Sequence, residues 1–182
     1  IWKEFNRLRR QGEEGTERLA EDSEGFLEEA GEEVLSALED KDRVQGAYEG
    51  LQERLQSMVE RMAFSLHNKA LDVKAMSTLY KQFTFMGSMA REENYEIPAN
   101  IDGHLTSINL KIVHGAQKES KVAVAFETQT LGKTAAEFKL TSRGIEGFCV
   151  CSREEGTGLL KAGQGVLEDR LGEEGLKAGS IY

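Results

Sequence analysis

The stretch IPANIDGHLTSINLKIV, residues 97–113, lies where the hydrophobic periodicity of the chain changes. Before it, apolar residues recur at spacings of three and four, which is typical of helices; after it they alternate, which is typical of strands. Pro98, the only proline in the chain, biases Ile97 towards an extended conformation. The stretch therefore predicts a boundary between a helical half and a β-rich half.

Four alternating segments, separated by turn sequences, follow this boundary. In the first segment, Ile108, Leu110 and Ile112 fall on one side of the strand. The turns contain Gly132 and Gly144, and glycine is a residue that tight turns favour. The predicted strands are residues 105–113, 121–128, 133–140 and 145–151. Four such strands in antiparallel succession form a meander.

The helical period returns after Ser152, which is a candidate N-cap. The predicted helix ends at Gly175 as its C-cap, and residues 176–182 form a closing strand. The apolar residues that can line one side of this helix are Leu159, Leu160, Val166, Leu167 and Leu171. A sheet with one helix packed on it predicts the α+β class for this half.

Three helices are predicted before the boundary, the first beginning at Ser23 and the third at Asp72 as N-caps. The second helix has a narrow apolar seam suited to pairing with another helix, formed by Val44, Tyr48, Leu51, Leu55, Met58 and Met62. A break at residues 68–72 lets the second and third helices fold back as a helical hairpin. We assign residues 1–22 to a short helix or a disordered segment, 23–94 to a helical domain and 95–182 to an α+β domain.

The charge of the chain is concentrated near its start. Of the net charge of −9, residues 13–40 carry −11 and residues 1–12 carry +3. Such an acidic block repels nucleic acid, and no basic patch with interleaved aromatics offsets it. No apolar run reaches the roughly 18 to 20 residues of a membrane span. Two cysteines give no disulfide framework, which favours the cytoplasm. Because the sequence begins at Ile1, we expect a part of a longer protein.

Cys149 and Cys151 are the pair of residues most suggestive of chemistry. Their side chains share one face of a strand, but a zinc site needs four ligands and this pair supplies two. The histidines, His67, His104 and His114, stand in no recognisable catalytic or ligand motif. The glycines between residues 156 and 165 lack the strand and lysine of a phosphate-binding loop. We therefore expect no metal, no cofactor and no enzymatic activity.

A short motif in the β-rich half resembles the C-terminal domain of bacterial flagellar hook-length control proteins. That family has a Leu-Gly turn opening a strand, a β-hairpin, a leucine-bearing helix, and a Gly-Leu step into a last strand. The matching residues here are Leu131, Gly132, Phe138, Leu160, Leu167, Leu171, Gly175 and Leu176. Gln129 and Thr130 replace the Pro and Glu that the family has before the turn. The resemblance covers residues 97–182.

The resemblance implies a part in flagellar assembly. The family domain binds the cytoplasmic domain of the membrane-embedded switch component of the flagellar type III export gate. Binding changes export from hook subunits to filament subunits, with no covalent chemistry. The resemblance thus implies a protein partner, a cytoplasmic location, and possible passage of the protein itself through the flagellar apparatus.

A second hypothesis comes from the helical half alone. The seam of the second helix is suited to a homodimer, with the α+β domain as a recognition module on a helical scaffold. On this hypothesis Leu51→Asp or Leu55→Asp abolishes dimerisation. The sequence leaves these two functions open.

Overall fold

The computed structural model describes residues 17–63, 70–115 and 119–182. Four helices lie in this part of the chain: α1 (Glu17–Ala37), α2 (Lys41–Ala63), α3 (Ala70–Ala90) and α4 (Glu154–Glu173). The strands are β1 (Asn94–Ile101), β2 (His104–His114), β3 (Ser120–Thr128), β4 (Gly132–Thr141), β5 (Gly144–Cys151) and β6 (Ala178–Ile181). The fold is therefore α+β, with helices first and then a β-meander, a packed helix and a closing strand, as predicted.

The strands form one six-stranded sheet whose spatial order follows the chain, from β1 to β6. The pairs β2–β3, β3–β4 and β4–β5 are antiparallel, whereas β5 and β6 run parallel because α4 connects them. Strands β2 to β5 agree with the predicted strands to within one residue at each end. Strand β1 was not predicted, because Pro98 was interpreted as a boundary, whereas it lies inside this edge strand.

The chain divides into two compact units, residues 1–100 and 101–182. The division lies a few residues beyond the sequence-based boundary at 94/95. The reason is that Tyr95 and Ile97 of β1 are buried with the core of the helical unit.

Helix α2 lies at the centre of the helical unit because it packs against both α1 and α3. Its residues Val44, Tyr48, Leu51 and Leu55 are completely buried. Burial of such side chains contributes about 1.5–3 kcal/mol each. Other core residues are Leu27, Ala30, Val34, Leu79, Phe83 and Met86. The predicted hairpin of the second and third helices is thus present as α2 and α3.

Three contacts fix β1 in the helical unit. A side chain at Gly31 of α1 would collide with the Pro98 carbonyl oxygen, so glycine lets helix and strand approach closely. The Tyr48 hydroxyl of α2 donates a 3.1 Å hydrogen bond to the Glu96 carbonyl oxygen. The Asn100 amide donates to the Glu28 carboxylate. Strand β1 therefore depends on glycine and tyrosine at specific positions of two helices.

The predicted starts of the helices were wrong at three positions. Helix α1 begins at Glu17, so Ser23 lies inside it, and α3 contains Asp72. Ser152 does not cap α4, whose N-cap is Arg153 without a side-chain hydrogen bond. Asp40 caps α2, since its carboxylate accepts a 2.9 Å hydrogen bond from the Asp42 amide at the start of that helix.

The α+β unit has one apolar and one polar sheet face. Residues opposite each other in the ladders share a face, and Leu110, Val124, Ala136 and Cys149 lie in one such row. The neighbouring row on the other face contains the charged residues Lys111 and Glu137 together with Ala123 and Phe148. Helix α4 begins on the apolar face, since its buried Gly156 lies against the Cys151 side chain.

Candidate protein-binding surface

The Leu131–Gly132 turn is built around a glycine that no other residue can replace without strain. Gly132 has φ +69°, and a side chain there would collide with the Ser152 hydroxyl. The same hydroxyl accepts a 2.9 Å hydrogen bond from the Lys133 amide, and the Leu131 amide donates to the Thr128 hydroxyl at 3.0 Å. Ser152 therefore links the start of β4 to the end of β5, and it does not cap α4.

The Gly175–Leu176 step is a complete Schellman motif at the end of α4. Gly175 has φ +71° and donates its amide proton to the Gly172 carbonyl at 3.0 Å. The Leu176 amide donates to the Leu171 carbonyl at 2.8 Å. These two bonds satisfy helix carbonyls that would otherwise lack partners and turn the chain towards β6. Gly175 therefore ends the helix as predicted. It directly follows Glu174, the C-cap residue of α4.

The other motif residues are half-buried. Leu160, Leu167 and Leu171 lie on the inner side of α4, and Phe138 lies on the apolar face of the sheet. Leu176 is more exposed than these. The motif thus combines two backbone turns with the contact side of the helix.

Leu159 and Val166 lie on the outer side of α4, which corrects the prediction that all five apolar helix residues line one side. Their side chains are 53% and 64% exposed. The reason is geometric: consecutive residues of a helix point about 100° apart, so Leu159 and Leu160 cannot face the same way. Between them along the outer side lies Ala162, which is also exposed. The three residues form an apolar patch, which we call the outer α4 patch.

The charged residues of α4 are mostly acidic. Five carboxylates and two cations lie on this helix: Glu154, Glu155, Glu168, Asp169, Glu173, Lys161 and Arg170. Arg170 is paired with Glu173 at 3.3 Å, whereas Glu155 and Asp169 lie in line with the outer α4 patch, one at each end. The outer side of α4 is therefore apolar in the middle and negative at its ends.

The polar face of the sheet carries a shallow, open depression of about 410 Å³. Exposed Phe148 and Tyr182 line it together with Arg143 and Glu146, which form a 3.2 Å ion pair. A second pair on this face joins Lys121 to Glu137 at 3.1 Å. Because the charges in and beside the depression are paired with one another, it offers a ligand less electrostatic selectivity than the outer side of α4.

The two cysteines share the apolar face of β5, as their spacing predicted. Burial, followed by the neighbouring Cys151 thiol, raises the pKa of Cys149, which disfavours the thiolate that would attack a substrate or bind a metal. The Cys151 thiol donates to the Arg153 carbonyl at 3.2 Å. His104 and His114 are exposed on β2, while His67 lies outside the described residues. In the described segments, no three His, Cys, Asp or Glu side chains group as metal ligands would.

The predicted pairing seam of α2 is occupied inside the chain. Val44, Tyr48, Leu51 and Leu55 are completely buried, and Met58 is half-buried. The side chain of Met62 lies outside the described part of the structure, as do residues 1–16 of the predicted N-terminal segment. The partner helices of the seam are thus α1 and α3 of the same chain.

Within residues 17–63, 70–115 and 119–182, no helix combines the length and apolar character that would let it cross a membrane. Comparison of the chain with family models, with curated proteins and with solved structures gave no match.

Proposed function

We propose that the α+β unit is an export-switch module similar to the C-terminal domain of flagellar hook-length control proteins. It acts by binding, without covalent chemistry. Its partner on this proposal is the cytoplasmic domain of the export-gate switch component, met in the cytoplasm. Binding there would change export from hook subunits to filament subunits.

The observation that carries the proposal is the structural role of the motif residues. The resemblance rests on a Leu-Gly turn, a hairpin, a leucine-bearing helix and a Gly-Leu step. In this chain Gly132 and Gly175 both have positive φ at sharp turns. Gly175 donates a backbone hydrogen bond to the Gly172 carbonyl, and next to Gly132 the Lys133 amide donates to the Ser152 hydroxyl. Backbone positions of this kind favour glycine. The agreement between the motif and these two turns supports the proposal.

The scaffold hypothesis has weaker support. A homodimer through the α2 seam would need the completely buried Leu51 and Leu55 to leave the core of the helical unit. Opening that core would cost several kcal/mol for each leucine exposed. The export-switch proposal needs no such rearrangement, because the outer side of α4 is already exposed.

Two experiments in a flagellated host test the proposal. Deletion of the gene should give overlong hooks, measured by electron microscopy, and the wild-type gene should restore their length. Purified full chain should bind the cytoplasmic domain of the export-gate component in a pull-down. Normal hooks in the deletion strain, or no binding by folded chain, would refute the proposal.

A matched pair of glycine variants sharpens the complementation test. Gly132→Val introduces a side chain at positive φ against Ser152, so it should distort the turn and fail to restore hook length. Gly163→Ala on α4 meets nothing within 4 Å and should restore it. Equal restoration by both would mean that the Leu-Gly turn has no part in the function.

A further inference from the structure

We infer that the outer side of α4 is a docking site for a basic amphipathic helix of a partner protein. The inference adds the chemistry of the partner to the proposed function. It rests on that function in one respect, that the chain acts by binding another protein. The outer α4 patch, Leu159, Ala162 and Val166, would contact the apolar side of that helix.

The apolar part of the site is continuous along the helix axis. Leu159, Ala162 and Val166 are three and four residues apart, so their side chains lie one above another on the same side. Two of the three are large apolar residues that are more than half exposed. A contiguous apolar patch on a helix favours an amphipathic helix, whose own apolar residues recur at the same spacings.

The charged residues beside the outer α4 patch indicate which kind of helix would bind there. Glu155 and Asp169 bracket the outer α4 patch, and they lie 14 positions apart, which is about 21 Å along a helix. A complementary helix would carry lysine or arginine near each end of its apolar stretch, about four turns apart. The excess of carboxylates over cations on α4 itself favours such a partner over an acidic one.

The two cations of α4 do not cancel this preference for a basic partner. Lys161 points away from the patch, and Arg170 is engaged with Glu173. Glycines 158 and 165 on the outer side have no atom within 4 Å of where a side chain would begin. The backbone of a docked helix can therefore approach α4 closely between the two negative ends.

Synthetic peptides test the inference on the full chain. The basic probe is an amphipathic helical peptide of about five turns with leucine and alanine on one side and lysine in its first and last turns. An otherwise identical peptide with glutamate for lysine and a scrambled basic peptide serve as comparisons. Fluorescence polarisation should show the basic helix binding at least about tenfold more tightly than either, with affinity falling as salt is raised.

Two pairs of variants locate the binding. Val166→Ser should weaken the basic peptide about five- to tenfold, whereas Val150→Ser, at a valine 54% exposed on the sheet, should leave it unchanged. Glu155→Lys with Asp169→Lys should abolish the preference for the basic peptide. The same charge change at exposed Glu29 and Glu39 should retain it.

Several results would overturn the inference. One is that the chain, with wild-type circular dichroism, does not bind the basic peptide. The others are that it binds the three peptides equally, or that Val150→Ser and Val166→Ser weaken binding of the basic peptide equally. A dimer in sedimentation that Val166→Ser dissociates would assign the patch to a second copy instead. Peptide binding with normal hooks in the deletion strain would keep the docking site while removing the flagellar function.

Discussion

Replacing Gly31 with alanine should destabilise the helical unit, although alanine is the better helix former. The new methyl group would lie closer to the Pro98 carbonyl oxygen than the 3.0 Å below which real side chains are not found. Relief requires α1 and β1 to separate, and overpacking of this kind costs about 1–3 kcal/mol. Alanine recovers about 1 kcal/mol through helix propensity. We therefore expect a net loss of up to about 2 kcal/mol in the free energy of unfolding.

Gly46 provides the matched control for this prediction. It lies in α2, is exposed, and has nothing within 4 Å of where a side chain would begin. Gly46→Ala should therefore stabilise the unit by about 1 kcal/mol. Urea unfolding, followed by the helical circular dichroism signal, measures both variants. If Gly31→Ala and Gly46→Ala shift the midpoint in the same direction by similar amounts, the close approach of α1 and β1 is refuted.

Three further predictions concern single side chains. Tyr48→Phe should cost about 1 kcal/mol in urea unfolding, because the Glu96 carbonyl loses its hydrogen bond, whereas Tyr182→Phe should cost nothing. Burial, followed by the Glu96 carboxylate, raises the pKa of Tyr48. The stability that the protonated hydroxyl contributes is therefore complete below the ordinary tyrosine pKa of about 10 and is lost as pH rises above it. Above that pH, the free energy of unfolding of Tyr48→Phe should fall less steeply than that of the wild type, by up to about 1.4 kcal/mol per pH unit. Cys149 should react with a disulfide reagent at pH 8 more slowly than free cysteine and reach the free rate in urea; an equally fast reaction in the folded chain would contradict its burial.

The strands of the meander could be predicted well because alternation is a strong local signal. In β2 to β5, most residues at every second position on one face are apolar, and glycines mark two of the turns. Strand β1 lacks this signal, since Pro98 interrupts it and its burial depends on Gly31 and Tyr48, residues far away in sequence. Tertiary contacts of that kind are not visible in local periodicity.

Helix starts were harder to predict than helices. Ser23, Asp72 and Ser152 are all good cap residues by type, but type alone does not show which partner a hydroxyl or carboxylate will find. Ser152 bonds the Lys133 amide across the β4–β5 ladder instead. Conversely, Asp40 caps α2 but was not among the predicted cap residues.

The candidate surface could be found in part from the sequence. The motif residues Gly132 and Gly175 were identified correctly as turn and helix-end positions. The outer α4 patch was missed because Leu159 and Val166 were counted with the inner leucines. Projecting the helix at 100° per residue separates the two sets, so the signal was present. The depression beside Phe148 and Tyr182 could not have been foreseen, since it depends on the pairing of β5 with β6.

The large, completely buried side chains of the described structure all lie between residues 27 and 97, in the helical unit. The α+β unit is stabilised instead by the backbone hydrogen bonds between its strands and by side chains that remain partly exposed to solvent. Local opening is therefore cheap there, and amide protons of the four-residue β6 should exchange before those of α2. Packing therefore constrains substitutions in the sheet less than substitutions at the buried positions of the helices, on which the folding of the chain depends more strongly.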